Sequence, residues 1–277
     1  MPDVDEGAGT IGHVRRMGRL TEPSSDALLT YGEYLGVPDL LSAQRLRSDP
    51  GVHDELLFIV VHQAYELWFK QLLFELETIR DGMIAGETER PRHYLTRVAA
   101  IERVLIEHIE VLETMSPQDF LAFRSLLTPA SGFQSVQFRE LEFLSGLKER
   151  RYLRDLAASP EDLGRLAKRL DEPTVWDGFV ALLERRGLPM PEDDEDRRMA
   201  SLVTIAKDPE HAPLFALSEG LVDHDEAMAT WRYHHVLMVE REIGAKPGTG
   251  GSAGVSYLRS TLDKRFFPDL WGLRSAL

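Results

Sequence analysis

The chain of 277 residues contains no cysteine, so disulfide bonds and thiolate metal ligands are excluded. Positive charge is also scarce, since 32 Lys and Arg face 46 Asp and Glu, for a formal net charge of −14. A nucleic-acid backbone and an anionic membrane surface are both negatively charged, so we expect neither as a partner. There is no apolar run of roughly 18 residues and no apolar core of a signal peptide, so neither a membrane span nor a signal peptide is expected, and the lack of cysteine suits a reducing cytosol.

The clearest pattern in the chain is the repeat of apolar residues with the period of an α-helix. Apolar residues recur every three or four positions over about 54–84, 91–115 and 214–243. Ser116 followed by Pro117 indicates a further helix start, because serine caps a first turn and proline fits its first position. Alternating runs typical of strands do not occur. The sequence therefore predicts an all-α fold, a helical bundle with several long helices.

The helix ends and the remaining segments are predicted from local residues. Asp54 is the expected N-cap of the first long helix, and Gly220 is a point at which the last long helix could break. Shorter helices are expected over 151–186 and a final one over 255–265. The acidic, proline-containing segment 187–214 is interpreted as a surface excursion with a short helix at most.

The domain organisation is predicted to be simple. Residues 1–20 are acidic and glycine-rich, which is typical of a disordered tail. One all-helical domain is expected over 21–277, with 149–224 as its variable part. The stretch "GAKPGTGGSAG" holds five glycines in eleven residues but follows a helix and lacks the Lys-Ser/Thr ending of a phosphate-binding loop. It is therefore either a linker or a lid over a ligand.

Two histidines interrupt apolar helix faces. His62 lies four residues after Phe58, and His235 lies four residues after Trp231. Each is either a core histidine hydrogen-bonded to a neighbour or part of a ligand site. Two such helices suit a cofactor held between them, with one metal ligand and one polar group on opposite sides. Carboxylates at ligand spacing are nearly absent, with only Glu66 near His62, so haem fits better than a bare metal, but spacing alone leaves haem, a non-haem metal and two core histidines open.

Arg124 is the single cation in the apolar stretch "DFLAFRSLLTPASGF". The ordinary interpretation is a surface arginine whose aliphatic stem lies on apolar neighbours. The functional interpretation is a fixed guanidinium that binds a carboxylate.

Five blocks of sequence carry a resemblance to the tryptophan 2,3-dioxygenase family. They are "LLTYGEYL", "DELLFIVVHQAYELWFKQLLFELE", "FLAFRSLLTPASGFQSVQFRELE", "WRYHHVLMVER" and "GTGGSAGVSYLRSTL". They cover most of residues 28–148 and 225–277, while 149–224 resembles the family poorly. Five blocks in the same order are far more specific than any single motif.

The resemblance implies a haem-dependent enzyme that is cytoplasmic and homotetrameric. Each subunit would bind one haem b, with ferrous iron in the active state, and O₂ would be the co-substrate. The enzyme would insert both oxygen atoms across the C2–C3 bond of the indole ring of L-tryptophan. The product would be N-formylkynurenine, in the first step of the kynurenine pathway.

Residue by residue, the resemblance also implies roles for the singled-out side chains. His235 matches the proximal haem ligand, and His62 matches the distal histidine that faces the indole N–H. Phe58 matches a wall of the indole pocket. Phe120 stands where some bacterial members have tyrosine, so no phenol acts from this position.

The resemblance assigns the ends of the substrate to other residues. Arg124 matches the clamp on the substrate carboxylate, and Thr249 matches the loop threonine near the substrate amine and carboxylate. Tyr31, Tyr34 and Leu35 match an N-terminal segment that reaches into a neighbouring subunit's site.

Two alternatives remain at this point. Ala253 stands where the family usually has serine, and a haem oxygenase of a substituted tryptophan or indole, inserting one oxygen to give an oxindole, would fit the same blocks. A haem sensor or storage protein on the same scaffold is the rival from a different class. Arg124 and Thr249 argue against it, because a haem carrier does not need an amino-acid clamp.

Overall fold

The computed structural model describes residues 28–251 and 253–277. The chain divides into two compact units, one up to Ala43 and one from Gln44 to Leu277. In the first unit the described residues form two short helices, α1 (Tyr31–Leu35) and α2 (Val37–Leu41). The predicted disordered tail at residues 1–20 lies outside the described residues.

The second unit is built from helices alone, which confirms the predicted all-α fold. The described residues contain no strand. The three longest helices each run for more than six turns, and short 3₁₀ turns at Ser125–Leu127, Gly132–Gln134 and Pro209–His211 join some of the helices. In chain order the helices are α3 (His53–Ile84), α4 (Glu89–Leu112), α5 (Pro117–Arg124), α6 (Val136–Ser145), α7 (Tyr152–Asp155), α8 (Pro160–Asp171), α9 (Val175–Arg185), α10 (Glu195–Lys207), α11 (Ala212–Ile243), α12 (Val255–Arg259) and α13 (Pro268–Ala276).

The start of α3 differs from the prediction. Val52 is the N-cap, and Asp54 lies inside the first turn. The Asp54 carboxylate does not cap its own helix, because it accepts a hydrogen bond from the backbone N–H of Ser116 at 3.0 Å. Ser116 itself caps α5 as predicted, since its hydroxyl accepts from the Asp119 N–H at 3.0 Å. The beginnings of α3 and α5 are therefore tied together.

The last long helix is continuous through Gly220. A Cβ at this position would lie 3.0 Å from Leu95 Cδ1 on α4. The glycine is used for close helix packing, and the predicted break is wrong. The helix holds because α11 and α4 bury their apolar faces against each other.

The segment after α9 is more than a surface excursion. It contains α10, and Leu202 and Ile205 of this helix are fully buried in the main core. The predicted final helix ends early, at Arg259, and α13 was not predicted. The chain leading into α13 is fixed by Asp225, whose carboxylate accepts three hydrogen bonds from the backbone N–H groups of Phe266 and Phe267 and from the Trp271 indole.

Within the described residues, no helix is both long and apolar enough to cross a membrane.

Candidate functional site

The second unit encloses a cavity of about 260 Å³ between α3 and α11. Both helices pack against α4, and the cavity separates the sides that face each other. Residues of α5, α6, α12 and the glycine-rich loop close the remaining sides. Most lining side chains are apolar, which excludes water and leaves the few polar groups in a medium where they interact strongly.

The helices α3 and α11 run antiparallel across the cavity in a fixed register. The Tyr65 and Trp231 ring centroids lie 6.0 Å apart, and one turn further along α11 His235 lies near enough to His62 for that ring to contribute to its lowered pKa. Two turns beyond these histidines, Asp54 of α3 lies close enough to Glu242 of α11 to contribute to the raised pKa of Glu242. The two sequence-predicted histidines therefore lie at the same level, on opposite sides of one cavity.

His62 is held by its own helix. Its Nδ1 lies 2.7 Å from the carbonyl oxygen of Phe58, so this nitrogen donates and Nε2 carries the lone pair. Burial lowers the pKa of His62, against the opposing effects of the Phe58 carbonyl and of Glu66. The ring is therefore a neutral hydrogen-bond acceptor at physiological pH.

His235 is packed by its own helix as well. Its ring lies parallel to the Trp231 indole, with centroids 5.1 Å apart and 7° between the planes. Burial, with a smaller contribution from His62, lowers the pKa of His235 to about 4. A neutral imidazole with an available lone pair is the form that binds a metal ion. No cluster of three or more His, Asp and Glu with metal-ligand geometry occurs in the part of the chain that the structure describes.

Phenylalanines form one wall beside His62. The Phe58 ring lies 4.1 Å from the His62 ring, 5.7 Å from Phe120 in a stacked arrangement and 5.6 Å from Phe123 edge-on, all between centroids. Phe120 and Phe123 come from α5, which is placed against α3 by the Ser116–Asp54 hydrogen bond. This wall is shaped for a flat apolar ring.

Arg124 ends α5 and lines the same cavity. Its guanidinium donates to the carbonyl oxygen of Pro247 in the glycine-rich loop. Thr249 also lines the cavity, and its hydroxyl donates to the Ala130 carbonyl at 2.7 Å. The loop is thus docked onto α5 and the segment after it. Gly250 permits this close approach, because a Cβ there would lie 2.7 Å from Ser131 Cβ.

Three charged residues on the cavity wall were not identified from the sequence. Arg139 of α6 and Arg232 of α11 both pair with Glu142, at 2.5 Å and 3.3 Å, and all three are buried. The Nε atoms of both arginines have no partner. The only feature of the sequence that could have identified them is helical spacing. Arg232 lies three residues before His235 and Arg139 three residues before Glu142, so each pair shares one helix face.

Tyr31, Tyr34 and Leu35 belong to α1 in the first unit. Their side chains are 78%, 74% and 48% exposed. Three large apolar side chains on one short helix without cover are typical of a surface that binds a partner.

The fold and the cavity together define the class of protein. It is an all-helical protein in which two long antiparallel helices place neutral histidines on either side of an apolar pocket that arginines border. The family model for tryptophan 2,3-dioxygenase matches residues 19–194 and 193–277, which include the stretch 149–224 that the quoted blocks leave out. The chain belongs to the tryptophan 2,3-dioxygenase family.

Named relatives agree with the family model. A tryptophan 2,3-dioxygenase of Nocardioides sp. is 58% identical over 257 residues, which cover 91% of this chain and 96% of that protein. Those of Herpetosiphon aurantiacus and Caulobacter vibrioides are 45% and 44% identical, each over 261 residues that cover 90% of this chain and 98% of the relative. The chain is therefore similar to these enzymes over nearly their whole length.

Proposed function

We propose that this protein is a haem-dependent dioxygenase that inserts both atoms of O₂ across the C2–C3 bond of the L-tryptophan indole and gives N-formylkynurenine, in the cytoplasm. The observation that carries the proposal is the pair of neutral histidines, His62 and His235, facing each other across an apolar cavity that Arg124 borders. Family membership and the names of the relatives support the reaction type.

The residues present fit one haem b per subunit. No hydrogen bond engages the His235 ring within the described residues, so its lone pair would be available to hold the haem iron. The unpartnered Nε–H groups of Arg139 and Arg232 are suited to the carboxylates of a porphyrin. When bound, ferrous haem supplies the redox-active iron that reacts with O₂. The apolar lining keeps water away from this centre.

The substrate would be positioned by three side chains around this pocket. Arg124 binds the carboxylate, exchanging its hydrogen bond to the Pro247 carbonyl for a stronger charge-assisted one. Thr249 lies on the same loop and reaches the amine and carboxylate end. His62 accepts the indole N–H at Nε2, because its Nδ1 is already engaged with Phe58.

The ring of the substrate would lie against aromatic side chains. Phe58 and Phe120 stack at 5.7 Å and form the wall beside His62. The exposed Tyr31, Tyr34 and Leu35 would complete the pocket of a neighbouring subunit in a homotetramer, which accounts for their lack of cover.

The test is to supply the reduced, haem-loaded protein with L-tryptophan and isotopically heavy O₂, and to weigh the product. We expect a product that has gained two heavy oxygen atoms. A gain of one heavy atom would identify the alternative, a monooxygenase that gives an oxindole, and no turnover of tryptophan would contradict the proposed function.

A further inference from the structure

Glu242 is a buried carboxyl group for which the proposed reaction has no use. It lies seven residues after His235 on α11, on the same face, and it lines the cavity. The residue is 5% exposed, and neither carboxyl oxygen has a hydrogen-bond partner. A buried polar group without a partner costs free energy, so an unpaired carboxyl group that faces a cavity points to a missing ligand group.

The charged residues around Glu242 are already engaged. The Asp54 carboxylate accepts from the Ser116 N–H and pairs with His53 at 2.9 Å. Glu113 pairs with Arg241 at 3.4 Å. Burial raises the pKa of Glu242, with Arg241 opposing and with Glu113 and Asp54 adding to the rise. The protonated form of Glu242 is therefore favoured more than that of a free glutamate, and a protonated carboxyl group offers one donor and one acceptor.

Glu242 and Arg124 lie toward opposite ends of the aromatic wall. The start of α5 is bonded to Asp54, at the level of Glu242, and Arg124 lies at the other end of this helix. Phe120, which stacks on Phe58, lies between them. A ligand whose carboxylate binds Arg124 and whose ring stacks on this wall directs the far edge of its ring toward Glu242.

We propose that Glu242 is a hydrogen-bonding subsite that selects tryptophans with a hydroxyl group on the benzo ring. The inference rests on the proposed function, because it takes Arg124 as the carboxylate anchor. A ring hydroxyl donates to one carboxyl oxygen and accepts the proton of the other, whereas an unsubstituted ring leaves both unpaired. A site built for a hydroxyl group discriminates against the analogue that lacks one.

The experiment titrates the haem-loaded protein with L-tryptophan and with its 5-hydroxy and 6-hydroxy derivatives, following the haem absorption band. We expect one hydroxy isomer to bind the wild type about tenfold more tightly than tryptophan. Glu242→Leu should abolish this preference, so that the hydroxy isomers and tryptophan bind with equal affinity. Glu242→Gln, which keeps one donor and one acceptor, should retain most of the preference. Glu240→Gln is the control, because the Glu240 side chain is 46% exposed on the same helix.

Three outcomes would overturn the inference. The first is a wild-type protein that binds neither hydroxy isomer more tightly than tryptophan. This result needs no variant, so it overturns the inference even when Glu242→Leu does not fold. The second is a Glu242→Leu variant that still binds a hydroxy isomer more tightly than tryptophan. The third is a Glu242→Leu variant that loses affinity equally for all three ligands, which would show that Glu242 only supports the packing of the pocket. Failure of the proposed function is distinguishable, because the reduced, haem-loaded wild type would then not turn over tryptophan, whichever ligand it binds more tightly.

Discussion

Burial sets the chemical state of the individual residues in the cavity. The pKa values of His62 and His235 are both lowered. Both rings therefore stay neutral at a pH at which an exposed histidine begins to take up a proton. One lone pair can then bind a metal ion while the other accepts a hydrogen bond. The same medium makes every unpaired polar group costly. The guanidinium groups of Arg124, Arg139 and Arg232 each have at least one partner within the protein, and of their buried nitrogens only the Nε atoms of Arg139 and Arg232 lack a partner among the described residues.

His235→Ala should abolish haem binding, because among the described residues His235 is the only histidine that lines the α11 side of the cavity. His234→Ala is the matched control, since His234 is the preceding residue and does not line the cavity. The measurement is the haem absorption spectrum after reconstitution. A His235→Ala protein that binds haem and turns over tryptophan would show that another residue is the ligand.

Arg124→Lys should raise KM for tryptophan about tenfold or more, because a charge-assisted bidentate bond contributes roughly 1.5–3 kcal/mol. Lysine keeps the charge but offers a single point of contact. Tryptamine lacks the carboxylate, so its weak binding should barely change. Titrations of both ligands followed by haem absorption check this, and an equal loss for both would mean that Arg124 only supports the pocket.

His62→Ala should lower kcat/KM for tryptophan about 10- to 100-fold, since one hydrogen bond in a dry pocket contributes roughly 1–3 kcal/mol. Haem binding should persist, because His62 is on the side opposite His235. Steady-state kinetics of the reconstituted variant provide the measurement. Complete loss of turnover with haem retained would instead indicate obligatory proton transfer by His62.

At the scale of helices, the close approach of α11 to α4 holds the cavity wall in place. Gly220→Ala would gain helix propensity of about 0.5–1 kcal/mol but would press a methyl group against Leu95, and overpacking costs about 1–3 kcal/mol. We expect a net loss of stability of about 1 kcal/mol. Gly164→Ala in α8 is the control, because a Cβ at that position would have no neighbouring atom within 4 Å.

Thermal or urea unfolding of both variants provides the comparison. Gly164→Ala should be slightly stabilised by about 0.5–1 kcal/mol, as expected for an open helical position. If both variants gain stability alike, the packing of Gly220 against Leu95 is looser than the structure indicates.

The sequence predicted the helices better than it predicted the contacts between them. Periodicity identified the faces that carry His62 and His235, and local capping chemistry identified Ser116. The role of Asp54 was missed because its partner is 62 residues away in the chain. Glu242 was missed for a similar reason: a glutamate in "VEREI" reads as solvent-exposed, and only the packing of α11 beside α3 and α4 buries it.

At the scale of the whole molecule, the first unit provides a test of assembly. Removal of residues 1–36 deletes the exposed Tyr31, Tyr34 and Leu35. If the proposed homotetramer forms, the truncation should weaken it and raise KM for tryptophan, because a neighbour's pocket would lose part of its apolar lining. Light scattering and steady-state kinetics measure the two effects. A fully active truncated monomer with unchanged KM would contradict the proposed role of this segment.

If Arg124 is the proposed carboxylate anchor, its hydrogen bond to the Pro247 carbonyl competes with ligand binding. The net binding free energy of an incoming carboxylate would be the difference between its own bond to the guanidinium and the loop bond that it displaces. The observed affinity would therefore be lower than the intrinsic affinity by the free energy needed to release the loop. A ligand with a weaker acceptor, or with none, leaves the loop where it is. In the proposed role, the arginine and the loop would act together as a threshold, which a full negative charge passes and a neutral indole does not.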